Sequence, residues 1–122
     1  MTEALDIYDR TAALASVGGD REFLWEISSI ARAAWPTLLR DIREALESGD
    51  LHSVERAAHL VKVTTQSVFA KRAYLAALLL ETMAGYREIE GALEASAGLE
   101  EEIERLEPFL AMPESAVDFA QH

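Results

Sequence analysis

The stretch ALESGDLHSVERAAHLVKVTTQSV, residues 45–68, decides how the chain is read. Its first four residues close one helical run. Gly49 is a natural residue just past a helix end, and Asp50 is a natural N-cap for the next helix. From Leu51 to Val68, apolar residues recur in three- and four-residue steps at Leu51, Val54, Ala58, Val61, Thr65 and Val68. That period belongs to a helix with one buried face. Two helices joined by a two-residue Gly-Asp turn must fold back on each other, which is the unit of a helical bundle.

The same period extends outward in both directions. Upstream, Asp20 caps a helix that runs to the Gly49 turn, with Phe23 at its apolar start. Pro36 lies inside it, so a kink or break is expected near Ala34–Trp35. Before that helix, Thr2 to Ser16 reads as a single helix stopped by Gly18-Gly19. Downstream, a helix from Ala70 to Ala84 carries AYLAALLLETM, apolar nearly all round, and is expected to be the most buried. A turn at Gly85-Tyr86 leads to a last helix ending at Pro108 or a little beyond. On that helix Gly91 and Gly98 share a face and permit close backbone approach. No strand alternation, repeat or low-complexity tract interrupts the pattern. The fold class expected is all-α: an antiparallel up-down four-helix bundle with an additional N-terminal helix, one domain over residues 1–111. Residues 112–122 are expected to form a flexible tail.

Composition narrows the class of function. The 122 residues suffice for one domain with its own core, and half of them are apolar. Without cysteine there is neither a disulfide nor a thiolate metal site. No apolar run approaches the roughly 20 residues that span a bilayer, and the start TEALDIYDR is too acidic for a signal peptide. A net charge of −11 argues against nucleic acid and anionic membranes as partners. The expectation is a cytoplasmic protein.

The polar face of the helix from Leu51 holds the chemistry. His59 falls roughly 130° from the centre of the apolar stripe and should face solvent, where a histidine is ordinarily just surface. Three features mark this one. Lys62, three residues on, reaches whatever the imidazole carries, and Gln66 a turn further offers a donor. Residues 50–72 hold Arg56, Lys62, Lys71 and Arg72 against Asp50 and Glu55, a net of +2, which leaves −13 for the rest. His52, by contrast, has Glu55 at the equivalent offset, and a carboxylate there repels a phosphate. Other histidine chemistries fit less well. The Glu-x-x-His spacing of di-iron bundles is absent, since Glu55 stands four residues before His59. His52 and His59 would clip a metal only weakly, and no GxxxxGK[ST] or GxGxxG sequence binds a nucleotide. The chain therefore lacks the means to make its own phosphoryl donor.

Several pieces in order complete the pattern: Gly19-Asp20 before Phe23-Leu24, Pro36, Ala45-Leu46-Glu47-Ser48-Gly49-Asp50, Ala58-His59-Leu60-Val61-Lys62 and Leu80-Glu81. In this the sequence resembles the histidine phosphotransfer domains of bacterial phosphorelays over roughly residues 9–111. The resemblance implies a four-helix bundle whose exposed His59 accepts a phosphoryl group from a receiver-domain aspartate and passes it on, with Lys62 in support. Partners would be a response-regulator receiver or hybrid histidine kinase. No cofactor is implied for this chain, the magnesium belonging to the receiver. The docking patch would be apolar with a basic rim, formed by Leu60, Val63 and Arg56. Two positions depart from the family pattern: Val63 and Phe69 stand where it has glycine. Val63 fills space beside the imidazole, while Phe69 is expected to point toward the core stripe. Two functions follow, a working but divergent phosphocarrier or a bundle that binds a receiver or another protein without phosphoryl exchange.

Overall fold

The computed structural model describes residues 2–111, with side chains from Ala4 onward. The expected C-terminal tail lies outside the described residues. Every regular element among them is a helix: α1 (Thr2–Ile7), α2 (Arg10–Ser16), α3 (Arg21–Ser48), α4 (Leu51–Ser67), α5 (Lys71–Gly85) and α6 (Ile89–Ala111). No strand occurs among the described residues. Each of the four long helices packs against two others: α4 against α3 and α5, and α6 against α5 and α3. Together they surround a core built from Leu24, Trp35, Ile42, Val61, Leu80 and Leu99, each at most 1% exposed. Fully burying one such aliphatic side chain stabilises the fold by about 1.5–3 kcal/mol. Among the described residues, no helix is long and apolar enough to cross a membrane.

Local signals set the long helices' ends. The Asp20 carboxylate accepts from the Phe23 amide at 3.0 Å, and Asp50 accepts from the Ser53 amide at 3.1 Å and the Ser53 hydroxyl at 2.6 Å. The Ser53 bonds hold the exposed Asp50 carboxyl below the usual carboxylate range. At the end of α3, Gly49 takes φ +74°, and the amides of Gly49 and Asp50 bond back to the carbonyls of Leu46 and Ala45. A residue without a Cβ adopts that left-handed conformation at little cost.

Three expectations need correction. The N-terminal run is two helices, not one. Asp9 caps α2 by accepting from the Ala12 amide, and its own N–H donates to the Phe69 carbonyl at 3.0 Å. Tertiary contact thus wins over the helical propensity of Thr2–Ser16. Next, of the kink or break expected near Ala34–Trp35, the break does not occur: α3 continues through Pro36. Trp35 is 1% exposed and its indole N–H donates to the Thr64 hydroxyl at 2.8 Å, so burial and a cross-helix bond offset the missing backbone donor. Last, α5 buries one stripe, Ala73, Ala77, Leu80 and Ala84, and leaves Leu75 and Leu79 about half exposed. It is not apolar-covered all round.

Phe69 differs as well. It follows α4 with φ +60°, and the amides of Phe69 and Ala70 repeat the Gly49-type pattern by bonding back to Gln66 and Thr65. At 36% exposed it stands outside the buried core, into which the sequence pattern directs it. Arg87, after α5, takes the same conformation at φ +62°.

Candidate functional site

Burial of Val54, Ala58, Val61 and Thr65 fixes the rotation of α4 and turns His59, Lys62, Val63 and Gln66 away from the core. The His59 side chain is 52% exposed, as the sequence pattern predicts. The neighbouring helix completes the site. On α5 the buried Leu80 points inward, and the adjacent Glu81 points along the α4 side, with its side chain 19% exposed. Glu81 Oε2 lies 2.8 Å from His59 Nδ1, and Oε1 lies 2.7 Å from Lys62 Nζ. Each oxygen of this largely shielded carboxylate therefore has its own partner on α4.

The electrostatics fix the tautomer. Partial burial pushes the Glu81 carboxyl upward, but the close Lys62 ammonium, the hydrogen bond with His59 and their charges outweigh it. The net effect holds the group below its ordinary range. Glu81 is thus an ionised acceptor at neutral pH, and the hydrogen shared with it must sit on Nδ1. In the neutral imidazole that leaves the lone pair on Nε2, the ring atom with no protein hydrogen-bond partner among the described residues. The arrangement presents an oriented nitrogen nucleophile with a carboxylate behind it to stabilise positive charge on the ring.

The other predicted residues divide. Leu60 and Val63 are exposed at 52% and 44% beside His59. Arg56 is also exposed and lines, with His59, Leu60 and Glu81, an open pocket of about 920 Å³ whose walls come from α3, α4 and α5. Gln66 does not join the cluster. Its side chain makes no hydrogen bond among the described residues, and seven residues of helix put it roughly 10 Å along the axis from His59. His52 lines the same pocket without a carboxylate partner, so the contrast between the two histidines persists in space. Around Arg56 the pocket lining also includes Asp41 and Glu44 from α3 and Asp50 and Glu55, while Glu81 from α5 is paired with Lys62. No group of three or more His, Asp or Glu side chains among the described residues is arranged to hold a metal ion.

Glu81 is the residue that reading the sequence left without a role. It was visible only as the end of a Leu-Glu pair, because nothing local to it shows which side chain of α4 it meets. No known protein family, curated protein or solved structure matches the chain.

Proposed function

We propose that this chain is a cytoplasmic phosphocarrier: His59 accepts a phosphoryl group from the aspartyl phosphate of a receiver domain and passes it on. On this reading α3 to α6 form an antiparallel up-down four-helix bundle, with α1 and α2 as its N-terminal addition. The observation that carries the proposal is the contact of one carboxylate with both His59 Nδ1 and Lys62 Nζ, which leaves Nε2 outward.

The Nε2 lone pair attacks phosphorus, the new N–P bond forms, and the P–O bond to the donor aspartate breaks with its electron pair leaving on that carboxylate. Nε2 carries no proton, so none need be lost. The ring becomes cationic, and Glu81 at 2.8 Å from Nδ1–H stabilises that charge. Such transfer passes through a loose transition state, in which positioning and charge do most of the catalysis. Lys62 begins paired to Glu81 and turns its ammonium toward the phosphoryl oxygens as their charge arrives. The receiver supplies magnesium and its own acidic pocket; this chain has no kinase or nucleotide-binding motif.

A second reading rests on Val63, whose side chain stands exposed beside His59. There it narrows the approach of a receiver, as it would in an adaptor that binds without exchanging phosphate. Incubation with phosphorylated receiver domains separates the two. Acid-labile label on the wild type, absent in His59→Gln, supports the phosphocarrier. Binding with no label supports the adaptor.

A further inference from the structure

The side of α5 turned away from α4 forms one exposed face with α6. On α5, steps of four bring Lys71, Leu75 and Leu79 into line, all exposed, the leucines at 48% and 49%. On α6, steps of four and three align Glu94, Gly98 and Glu101. Arg72 bonds to Glu102 near one end of this helix pair. Near the other end Met83 lies against Gly91, where an added Cβ would come within 2.8 Å of its sulfur. Leu75 and Leu79 stand between those two contacts, level with the stretch from Ala95 to Leu99.

The two helices differ in shape and in charge. Where α5 projects two leucines, α6 borders a shallow pocket of about 320 Å³ with Gly91, Ala95 and Gly98. A Cβ built on Gly98 would meet nothing within 4 Å. The charges divide in the same way. Helix α5 carries Lys71 and Arg72 at its start and a single acid, Glu81, which is turned to His59 and Lys62 on α4. Helix α6 carries seven glutamates against Arg105. The projecting, cationic helix thus complements the hollow, acidic one, and a single face holds both halves of a contact. A foreign partner would use one half; a second copy turned about a two-fold axis uses both.

We propose that this face binds a second copy of the chain, with the two-fold axis running along α5 and α6 so that each α5 lies on the α6 of the other copy. Leu75 of one copy then fills the space over Gly98 of the other, and Lys71 comes beside the other copy's Glu101. Each contact occurs twice. The face is narrow and its rim is charged, so the dimer is a weak, reversible one that forms as concentration rises. His59 lies on α4, outside this face, and the proposal stands or falls separately from the chemistry of that ring.

Sedimentation equilibrium on the full chain tests the proposal. From about 10 μM to about 1 mM the average mass should rise from 13.5 kDa toward twice that value. A monomer across the whole range would overturn it. Gly98→Leu places a side chain in open space, so the helical circular dichroism should persist while association weakens at least about tenfold. Undiminished association of that variant would put the contact elsewhere and sink the assignment. The charges give a test independent of packing. Lys71→Glu and Glu101→Lys should each weaken self-association about tenfold, since each sets like charges together at two places. Mixed in equal amounts, the two variants regain both ion pairs and should associate as the wild type does, less so in high salt. Variants that stay monomeric on mixing would overturn the two-fold arrangement.

Discussion

Two carboxylates in this molecule sit in nearly the same burial and do different work. Glu81 and Glu102 have side chains 19% and 17% exposed, and each is held by two cationic or potentially cationic groups. Glu102 gathers Arg72 and Arg105 on a single oxygen, Oε2, and ties α6 to α5. Glu81 splits its oxygens, one to Lys62 and one to His59. Guanidinium groups stay charged at any physiological pH and offer no lone pair, so the Glu102 cluster only fastens helices. The Glu81 cluster contains an imidazole, whose second ring nitrogen can carry a lone pair. Similar burial and charge give a tie between helices in one place and, in the other, a ring nitrogen with no hydrogen-bond partner among the described residues, and the difference is a single side chain type.

The largest effect expected removes that difference. His59→Gln should abolish labelling by phosphorylated receivers completely, because the remaining Glu81–Lys62 pair is then a tie like that of Glu102. Phosphoamino-acid chemistry checks the point, since phosphohistidine is acid-labile and a phosphoserine at Ser53 or Ser67 is not. Full labelling of His59→Gln would end the phosphocarrier reading.

The two carboxylates should next separate in rate measurements. Glu81→Gln removes the charge that stabilises the cationic ring, and Lys62→Ala removes the charge that meets the phosphoryl group. Each should slow transfer about tenfold to a hundredfold in single-turnover assays. Glu102→Gln should leave transfer within about twofold while lowering stability by about 1–2 kcal/mol in urea unfolding. A transfer defect in Glu102→Gln equal to that in Glu81→Gln would erase the distinction.

Smaller still is the pH response. The Glu81 carboxyl is held below its ordinary value of 4.5, so the folded protein binds its proton less readily than the unfolded chain. Its stabilising contribution is therefore fully present above about pH 4.5 and fades as pH falls below it. Urea midpoints between pH 6 and pH 3 should drop less steeply in Glu81→Gln than in wild type; parallel curves would show that the pair contributes nothing to folding.

Val63→Gly is the mildest change. It should cost about 1 kcal/mol, the ordinary penalty for glycine within a helix, with little packing loss because Val63 is 44% exposed. Opening the space beside His59 should also widen the set of receivers that exchange phosphate. Transfer that appears only in Val63→Gly would identify the wild type as the adaptor.

How much of this was legible in the chain follows from where each signal resides. The ends of α3 and the start of α4 could be read because Asp20, Gly49 and Asp50 act on amides within three or five residues. The outward position of His59 was readable from the period of Val54, Ala58 and Val61, and all three are buried. The break at Tyr8–Asp9 was not, since the amide of Asp9 is satisfied by the carbonyl of Phe69, far along the chain. Glu81 was hidden for the same reason. Its partners lie on a neighbouring helix, and a reading along one segment misses what α5 brings to it.

The left-handed backbone at Phe69 has a consequence in time. A side chain there costs of order 1 kcal/mol, and the turn that bears it also supplies the carbonyl that receives the Asp9 amide. Opening the α4–α5 turn relieves that cost and frees the start of α2 in one event. Amide hydrogens of Asp9, Phe69 and Ala70 should then exchange with deuterium together, through a common opening well below the global unfolding free energy. The equivalent turn at Gly49 carries no such cost, so Gly49 and Asp50 should stay protected longer. Exchange in that order would mean that the N-terminal helices are released from the α4–α5 turn before α3 parts from α4.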